Sequence, residues 1–255
     1  MRSPDRMFNL QCRNSYFLSQ ILPGMDVITN TPETPYEKNS IIHKNILLYA
    51  TQGSGKTETI RSLVEEIVNK YGKDNVNAVI SSGSNSLEDL MVFGLDNKLI
   101  QVQVADDFTL QEVPKEVIKA YFKIRHIWYK RIKRPFGYIL SIFSLHRFHS
   151  GAKEIRSTAD AVLIRDDSLN PYDHSVIKGF IGEYGLEDLH FIEENRDLHP
   201  VLKSYSIFAT RTKRVGLVYF PLASKNHLRE ISPIKSKYTN IEQRKLIRNC
   251  LYGDI

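Results

Sequence analysis

Cysteine is nearly missing from this chain of 255 residues: Cys12 and Cys250 stand alone, near opposite ends. They cannot build a disulfide framework or a metal-type cysteine pair, so a reducing compartment is the simplest reading. Long apolar runs are missing too. The richest, Gly137 to Leu145, is far too short to cross a bilayer. The opening Met1-Arg-Ser-Pro-Asp-Arg6 lacks the apolar core of a secretory leader. The expectation is a soluble cytoplasmic protein with no membrane span. No internal repeat and no low-complexity segment is visible. What is present is enough apolar residue, 42%, to bury the full core of one α/β domain with small appendages.

Acid is scarce where base is concentrated. Lys115 to Arg134 holds eight Lys/Arg against one Glu, and Arg211 to Arg248 holds ten against two. The whole chain is only +6, so the remainder is net acidic at −9. Two basic segments on an acidic background suggest a field directed at a polyanion; the alternative is a pair of solvated Lys-rich helix faces.

The most specific signal is the run Asn45-Ile-Leu-Leu-Tyr-Ala-Thr-Gln-Gly-Ser-Gly-Lys-Thr57. Ile46 to Tyr49 reads as a strand buried on both faces. Ala50 to Thr57 fits the phosphate-binding P-loop pattern, with Ala in place of the first Gly. After it, Ile60, Leu63, Val64, Ile67 and Val68 recur at helical spacing, so a helix starts at the Lys56-Thr57 corner. Gly53 and Gly55 permit backbone torsions that turn successive N–H groups inward on phosphates, and the helix N-terminus adds its partial charge. Lys56 is expected to reach the β- and γ-phosphates of a nucleotide, and the Thr57 hydroxyl to hold Mg²⁺. The nucleotide-binding set is therefore Thr51, Gln52, Gly53, Ser54, Gly55, Lys56, Thr57 and Glu58.

Residues 1–44 read as a poorly patterned lead-in, with turn chemistry at Pro23-Gly24 and from Thr31 to Pro35. Asn77 to Ser81 is a second short strand, and Ser86 is placed to cap a helix beginning near Leu87. Leu99 to Ala105 is an apolar strand running into Asp106-Asp107, as in a Walker B site, and is expected beside the P-loop strand. There Asp106 would hold Mg²⁺ and Asp107 would orient or deprotonate the attacking water. Gln101 and Gln103 also fit a half-exposed strand, and an Asp-Asp pair is often only a turn.

From Val113-Pro114 one long helix is expected, with Val117, Tyr121, Ile124 and Trp128 as its apolar face. Lys119, Lys123, His126, Lys130 and Lys133 form a basic stripe along another face. Such a rod would follow a phosphate backbone in a salt-sensitive, sequence-neutral way; otherwise it is a solvated face. Tyr138 to Leu145 is the next strand. At its end His146, or else Ser144 or His149, occupies the position of a γ-phosphate sensor. A His146–His149 metal site lacks further ligands nearby. A short helix follows, carrying Arg156, read as a residue that senses nucleotide state or reaches a neighbouring subunit's phosphates, or else as an ordinary surface ion pair. It leads to another buried strand ending at Arg165. Pro171 to Tyr184 and Glu187 to Arg196 look helical. Ser204 to Thr210 and Val215 to Phe220 alternate like a strand pair extending the sheet edge around Arg211-Thr-Lys-Arg214. The basic tail from Lys225 to Arg248 ends in a helix starting near Asn240.

This order resembles the additional-strand, RecA-like ATPases, and within them the FtsK–HerA superfamily, including viral genome-packaging ATPases and small ATPases of archaeal viruses and plasmids. The resemblance covers about residues 45–165 and rests on Lys56-Thr57, Asp106-Asp107, the strand tip at His146, Ile155-Arg156-Ser157 and Ala159-Asp160. Two positions depart from the pattern: Asp107 where many relatives carry Glu, and His146 where Gln is common. The resemblance implies a three-layer fold with a mainly parallel sheet, an ATPase domain at 45–222 and a basic tail at 223–255. It also implies a homo-oligomeric ring, a hexamer by family likeness, that translocates or packages double-stranded DNA with a portal, capsid or replication partner. A virus- or plasmid-encoded chain would work in the host cytoplasm. The alternatives are a replication-type ATPase (initiator or helicase loader) and a P-loop kinase.

Overall fold

The computed structural model describes residues 40–83, 85–107, 113–133, 136–146, 153–165, 171–198, 205–211, 215–219 and 232–233. Five strands form its centre: β1 (Ser40–Tyr49), β2 (Val76–Ser82), β3 (Ile100–Asp106), β4 (Phe136–Leu145) and β5 (Ala161–Ile164). They lie in the order β5-β1-β4-β3-β2, with every neighbouring pair parallel. The hairpin β6 (Tyr205–Thr210) and β7 (Val215–Tyr219) adds two antiparallel strands beside β5, extending the sheet as the alternation in the sequence indicates. The two-residue β8 (Ser232–Pro233) adds to β2.

Side chains alternate across a strand, so β1 feeds two cores. Ile46 and Leu48 face α1 (Lys56–Tyr71), which buries Ile60, Leu63, Val64, Ile67 and Val68 against them. Each such side chain contributes roughly 1.5–3 kcal/mol of gross burial. Leu47 and Tyr49 point the other way, into the core shared with α2 (Ser86–Phe93), α3 (Lys115–Tyr121), α4 (Ile124–Ile132), α5 (Lys153–Thr158) and α6 (Pro171–Asn195). Helices on both faces of a mainly parallel sheet give the three-layer α/β class expected from the sequence.

Several expectations need correction. β3 is not beside the P-loop strand: β4 lies between them, pairing β1 along one side and β3 along the other. Gln101 and Gln103 are not half-exposed but fully buried. Gln101 is tied to Asn77, Asp96 and Lys98, while Gln103 Nε2 donates to the Leu90 carbonyl. The single long helix is two, α3 and α4, joined by a tight turn at Phe122-Lys123 in which Lys123 N donates to Ala120 O at 2.9 Å. Each piece is pinned by its own aromatic. The Tyr121 hydroxyl lies 2.6 Å from Ser141 Oγ and 3.0 Å from Gln103 Oε1, and Trp128 Nε1 donates to Asp96 O at 2.9 Å. Ser86 is the first residue of α2 and not its cap. Asn85 takes the cap position without a side-chain bond, and the buried Ser86 hydroxyl has no hydrogen-bond partner among the described residues. The helical stretch α6 breaks at Gly182 (φ 73°), before the expected gap at residues 185–186. β1 begins at Ser40, inside the expected lead-in. The turns at Pro23-Gly24 and Thr31 to Pro35, His149, and the tail from Lys225 lie outside the described residues, β8 excepted.

Candidate active site at the carboxyl ends of the central strands

Parallel strands end together, so the segments after β1, β3 and β4 meet at one edge of the sheet, where ligands bind in folds of this kind. The loop after β1 starts with Ala50, whose N–H donates to Leu145 O on β4 at 3.2 Å. Thr51, Gln52 and Gly53 are exposed, and Ser54 Oγ donates back to Thr51 O at 2.7 Å, closing the turn. Gly53 and Gly55 have φ of 79° and 86°, torsions that a side chain would resist. Gly55 then caps α1, and Lys56 is its first residue.

Lys56 is buried, at 6% exposure. Its ammonium donates to Ala50 O and Thr51 O, both at 3.1 Å, and to His146 Nδ1 at 2.9 Å. An ammonium has no acceptor, so Nδ1 of His146 carries the lone pair and the proton sits on Nε2. That nitrogen lies 2.6 Å from Asp107 Oδ1. The imidazole at the tip of β4 therefore joins the P-loop lysine to the carboxylate after β3. Beside this line, Thr57 Oγ1 donates to Asp106 Oδ2 at 3.3 Å. The P-loop strand and the Asp-Asp strand are separated by β4, and the segments that follow them are joined through Thr57–Asp106 and through His146. The strand order β5-β1-β4-β3-β2, with the glycine-containing loop after the central β1, defines a three-layer α/β fold of the P-loop kind.

No protein-family model matches the chain, and no curated protein matches it in sequence. Among solved structures, the chain is similar to the genome packaging NTPase B204 of Sulfolobus turreted icosahedral virus 2 in complex with ATP-gammaS. That likeness has 12% identity, covers 71% of this chain and 98% of that one, and has a TM-score of 0.46. The DNA-packaging ATPase B204 of Sulfolobus turreted icosahedral virus is similar at 13% identity over 71% and 98% of the two chains, with a TM-score of 0.44.

At the end of β3, Asp107 has a left-handed backbone (φ 50°), a region that Asp and Asn tolerate better than most residues. Its N–H donates to Asp106 Oδ1 at 3.1 Å, which holds the pair in a fixed relation. The donor set suits Mg²⁺, a hard cation bound by oxygen: the Thr57 hydroxyl and the Asp106 carboxylate already touch. Among the described residues no group of three or more His, Cys, Asp or Glu could hold a metal, so a cation here would take its remaining ligands from phosphate and water. Glu58, in the first turn of α1, pairs with Arg61 at 2.7 Å.

Arg156 is half-buried on α5, which delivers the chain to Asp160 at the start of β5. There Asp160 accepts from Lys44 Nζ at 2.8 Å and Asn45 N at 3.0 Å, so the Ala159-Asp160 pair anchors β5 to β1. The arginine that reaches the P-loop is Arg165, immediately after β5. It is 3% exposed and donates through Nη1 to Thr59 Oγ1 in α1. The sequence did carry a signal for it, because a polar residue closing a buried parallel strand falls on the ligand edge.

The stripe Lys119, Lys123, His126, Lys130 and Lys133 is exposed throughout, and among the described residues the four lysines form no ion pair. Arg131, exposed as well, differs in donating to Met91 O at 2.6 Å, and partial burial lowers its pKa from the ordinary arginine value. Ser144 is fully buried, within the strand and not at its tip.

Proposed function

We propose that this chain is a Mg²⁺-dependent ATPase that works as a homo-oligomeric motor on double-stranded DNA, in translocation or genome packaging. The observation that carries the reading is the Lys56–His146–Asp107 line beside the Thr57–Asp106 contact. In this reading the P-loop N–H groups and Lys56 bind the β- and γ-phosphates of ATP. Thr57 and Asp106 hold Mg²⁺, which neutralises phosphate charge when bound. Asp107 orients the attacking water and accepts its proton, while His146 holds Asp107 and Lys56 in register, so that occupancy at the lysine is felt at the carboxylate. Arg156 completes the site of a neighbouring protomer in the ring, for which a hexamer is the proposed size. The exposed stripe meets DNA phosphates. Residues 45–222 form the ATPase domain, 1–44 the lead-in and 223–255 the basic tail. A portal, capsid or replication protein is the partner, and the cytoplasm, or a host's, is the setting.

Phosphate release measured with and without double-stranded DNA tests the whole reading. Strong stimulation by DNA is expected. Turnover without any DNA response points to a kinase-like enzyme, and dependence on a protein partner points to a loader. Lys56→Ala is expected to abolish hydrolysis and most ATP affinity; near-normal turnover would sink the P-loop assignment.

A further inference from the structure

Arg165 has a place in the P-loop that no motif assigns to it. It enters from β5, the strand beside β1, and its backbone N–H donates to Tyr49 O at 3.0 Å, immediately before the loop begins. Its own carbonyl accepts a hydrogen bond from the Arg196 guanidinium, so the main chain is held from both sides. The side chain then turns under the loop. Nη1 donates to Thr59 Oγ1, and Thr59 Oγ1 donates to Gly55 O at 3.1 Å. Thr59 N donates to the same carbonyl at 3.0 Å.

The consequence follows from the planarity of the peptide. In a trans peptide the C=O of one residue and the N–H of the next point in opposite directions. Holding the Gly55 carbonyl back toward α1 therefore aims the Lys56 N–H outward into the phosphate cradle. Gly55 itself, at φ 86°, has little torsional preference of its own to keep that peptide fixed. The Thr59 N–H bond holds that carbonyl from the helix, and the relay Arg165–Thr59–Gly55 adds a second hold on it.

Charge gives an independent argument. The guanidinium lies against Gly55 closely enough that a Cβ there would sit 3.7 Å from Nη2 and 3.8 Å from Cζ. This puts a second buried cation, besides Lys56, at the positive end of the α1 dipole. Cations at a helix N-terminus disfavour the helix, while anions there favour it. Two buried cations at that end are an arrangement suited to a polyanion.

We infer that Arg165 is a positioning residue for the triphosphate: it fixes the Gly55–Lys56 peptide through Thr59 and contributes charge that favours ligands with more phosphates. This rests on the nucleotide reading of the P-loop. Displacement of a fluorescent ATP analogue by ATP, AMP and inorganic tripolyphosphate tests it, with thermal unfolding of the ligand-free protein recorded alongside. Arg165→Ala is expected to weaken ATP and tripolyphosphate about tenfold and AMP far less, with Arg165→Lys recovering part of the loss. Thr59→Val, which removes only the hydroxyl link, is expected to weaken ATP about threefold. Combining it with Arg165→Ala should add less than either loss alone. Equal losses for ATP and AMP, or ATP affinity within twofold of the parent in both Arg165→Ala and Thr59→Val, overturns the inference. If Arg165→Ala does not fold, Thr59→Val and Arg165→Lys decide it, parity of both with the parent being the overturning result. Lys56→Ala separates the two readings. If it loses ATP while the Arg165 set is unchanged, only this inference fails; if the parent binds no ATP, the P-loop reading fails with it.

Discussion

Replacing His146 with alanine would cut the line between the P-loop and the Asp-Asp strand without touching either end. The two bonds removed are Lys56 Nζ to Nδ1 at 2.9 Å and Nε2 to Asp107 at 2.6 Å. Their worth to stability is small. The His146 and Asp107 side chains are 39% and 58% exposed, and a hydrogen bond so open to water contributes about 0–1 kcal/mol, as exposed ion pairs do. For a chain of 255 residues that is a shift of at most about 2–4 °C in the melting temperature. Catalysis should respond differently, because Asp107 then loses the group that orients it and Lys56 loses one of its acceptors. A misplaced base costs on the order of 100-fold in turnover, or about 2.7 kcal/mol of barrier. His146→Gln keeps a donor and an acceptor on a side chain of similar reach and should recover much of that rate. The assays are steady-state phosphate release and thermal unfolding on the same preparations. A His146→Ala protein that turns over within twofold of the parent refutes the coupling. So would a rate loss matched by a large fall in melting temperature, since the residue would then be supporting the fold and not the reaction.

Asp107→Asn keeps the left-handed backbone comfortable and should retain ATP binding while lowering phosphate release by about 100-fold or more; unchanged turnover would move the base elsewhere. Changing Lys119, Lys123 and Lys130 to Glu should weaken DNA binding and flatten its dependence on salt, by about one unit of slope for each phosphate no longer neutralised; unaltered affinity and slope would make the stripe a solvated face. His43 should make stability depend on pH. Burial, then the nearby Arg125 cation, lower its pKa from 6.5 to about 4 against the opposing pull of Asp160. The unfolded chain therefore takes up the proton first. Stability is full above about 6.5 and falls as the pH drops toward 4, by at most about 3 kcal/mol. Urea midpoints at pH 7 and pH 5 should converge in His43→Gln, and an identical drop in both proteins would remove His43 as the cause.

The P-loop, its strand and its helix were legible because each rests on local signals. Glycines occupy the positive-φ positions, and the apolar residues Ile60, Leu63, Val64, Ile67 and Val68 keep one register with the strand before them. The place of β3 was not legible in the same way. Which strand a parallel strand pairs with is decided by interactions distant in sequence, and Asp106-Asp107 reads the same beside β1 or one strand away. The break between α3 and α4 was hidden because Val117, Tyr121, Ile124 and Trp128 keep helical spacing across it. Gln101 and Gln103 looked solvent-facing because the groups that satisfy them, from Asn77, Asp96, Lys98, Leu90 and Tyr121, are mostly brought in by the fold. Arg165 was passed over for Arg156, which sits in a motif, although only Arg165 closes a strand at the P-loop edge.

The interposed strand has a consequence for how the molecule comes apart. β4 pairs with β1 from Phe136 to Leu145 and with β3 from Tyr138 to Phe143, so most of its length is bonded on both sides. Amides bonded in this way exchange with solvent only through the largest openings, whereas edge elements such as β7 and β8 exchange through small local ones. His146 is thus mounted on the strand that opens last. Fraying of the hairpin edge leaves the Lys56–His146–Asp107 line whole, and its loss should coincide with global unfolding and no earlier step.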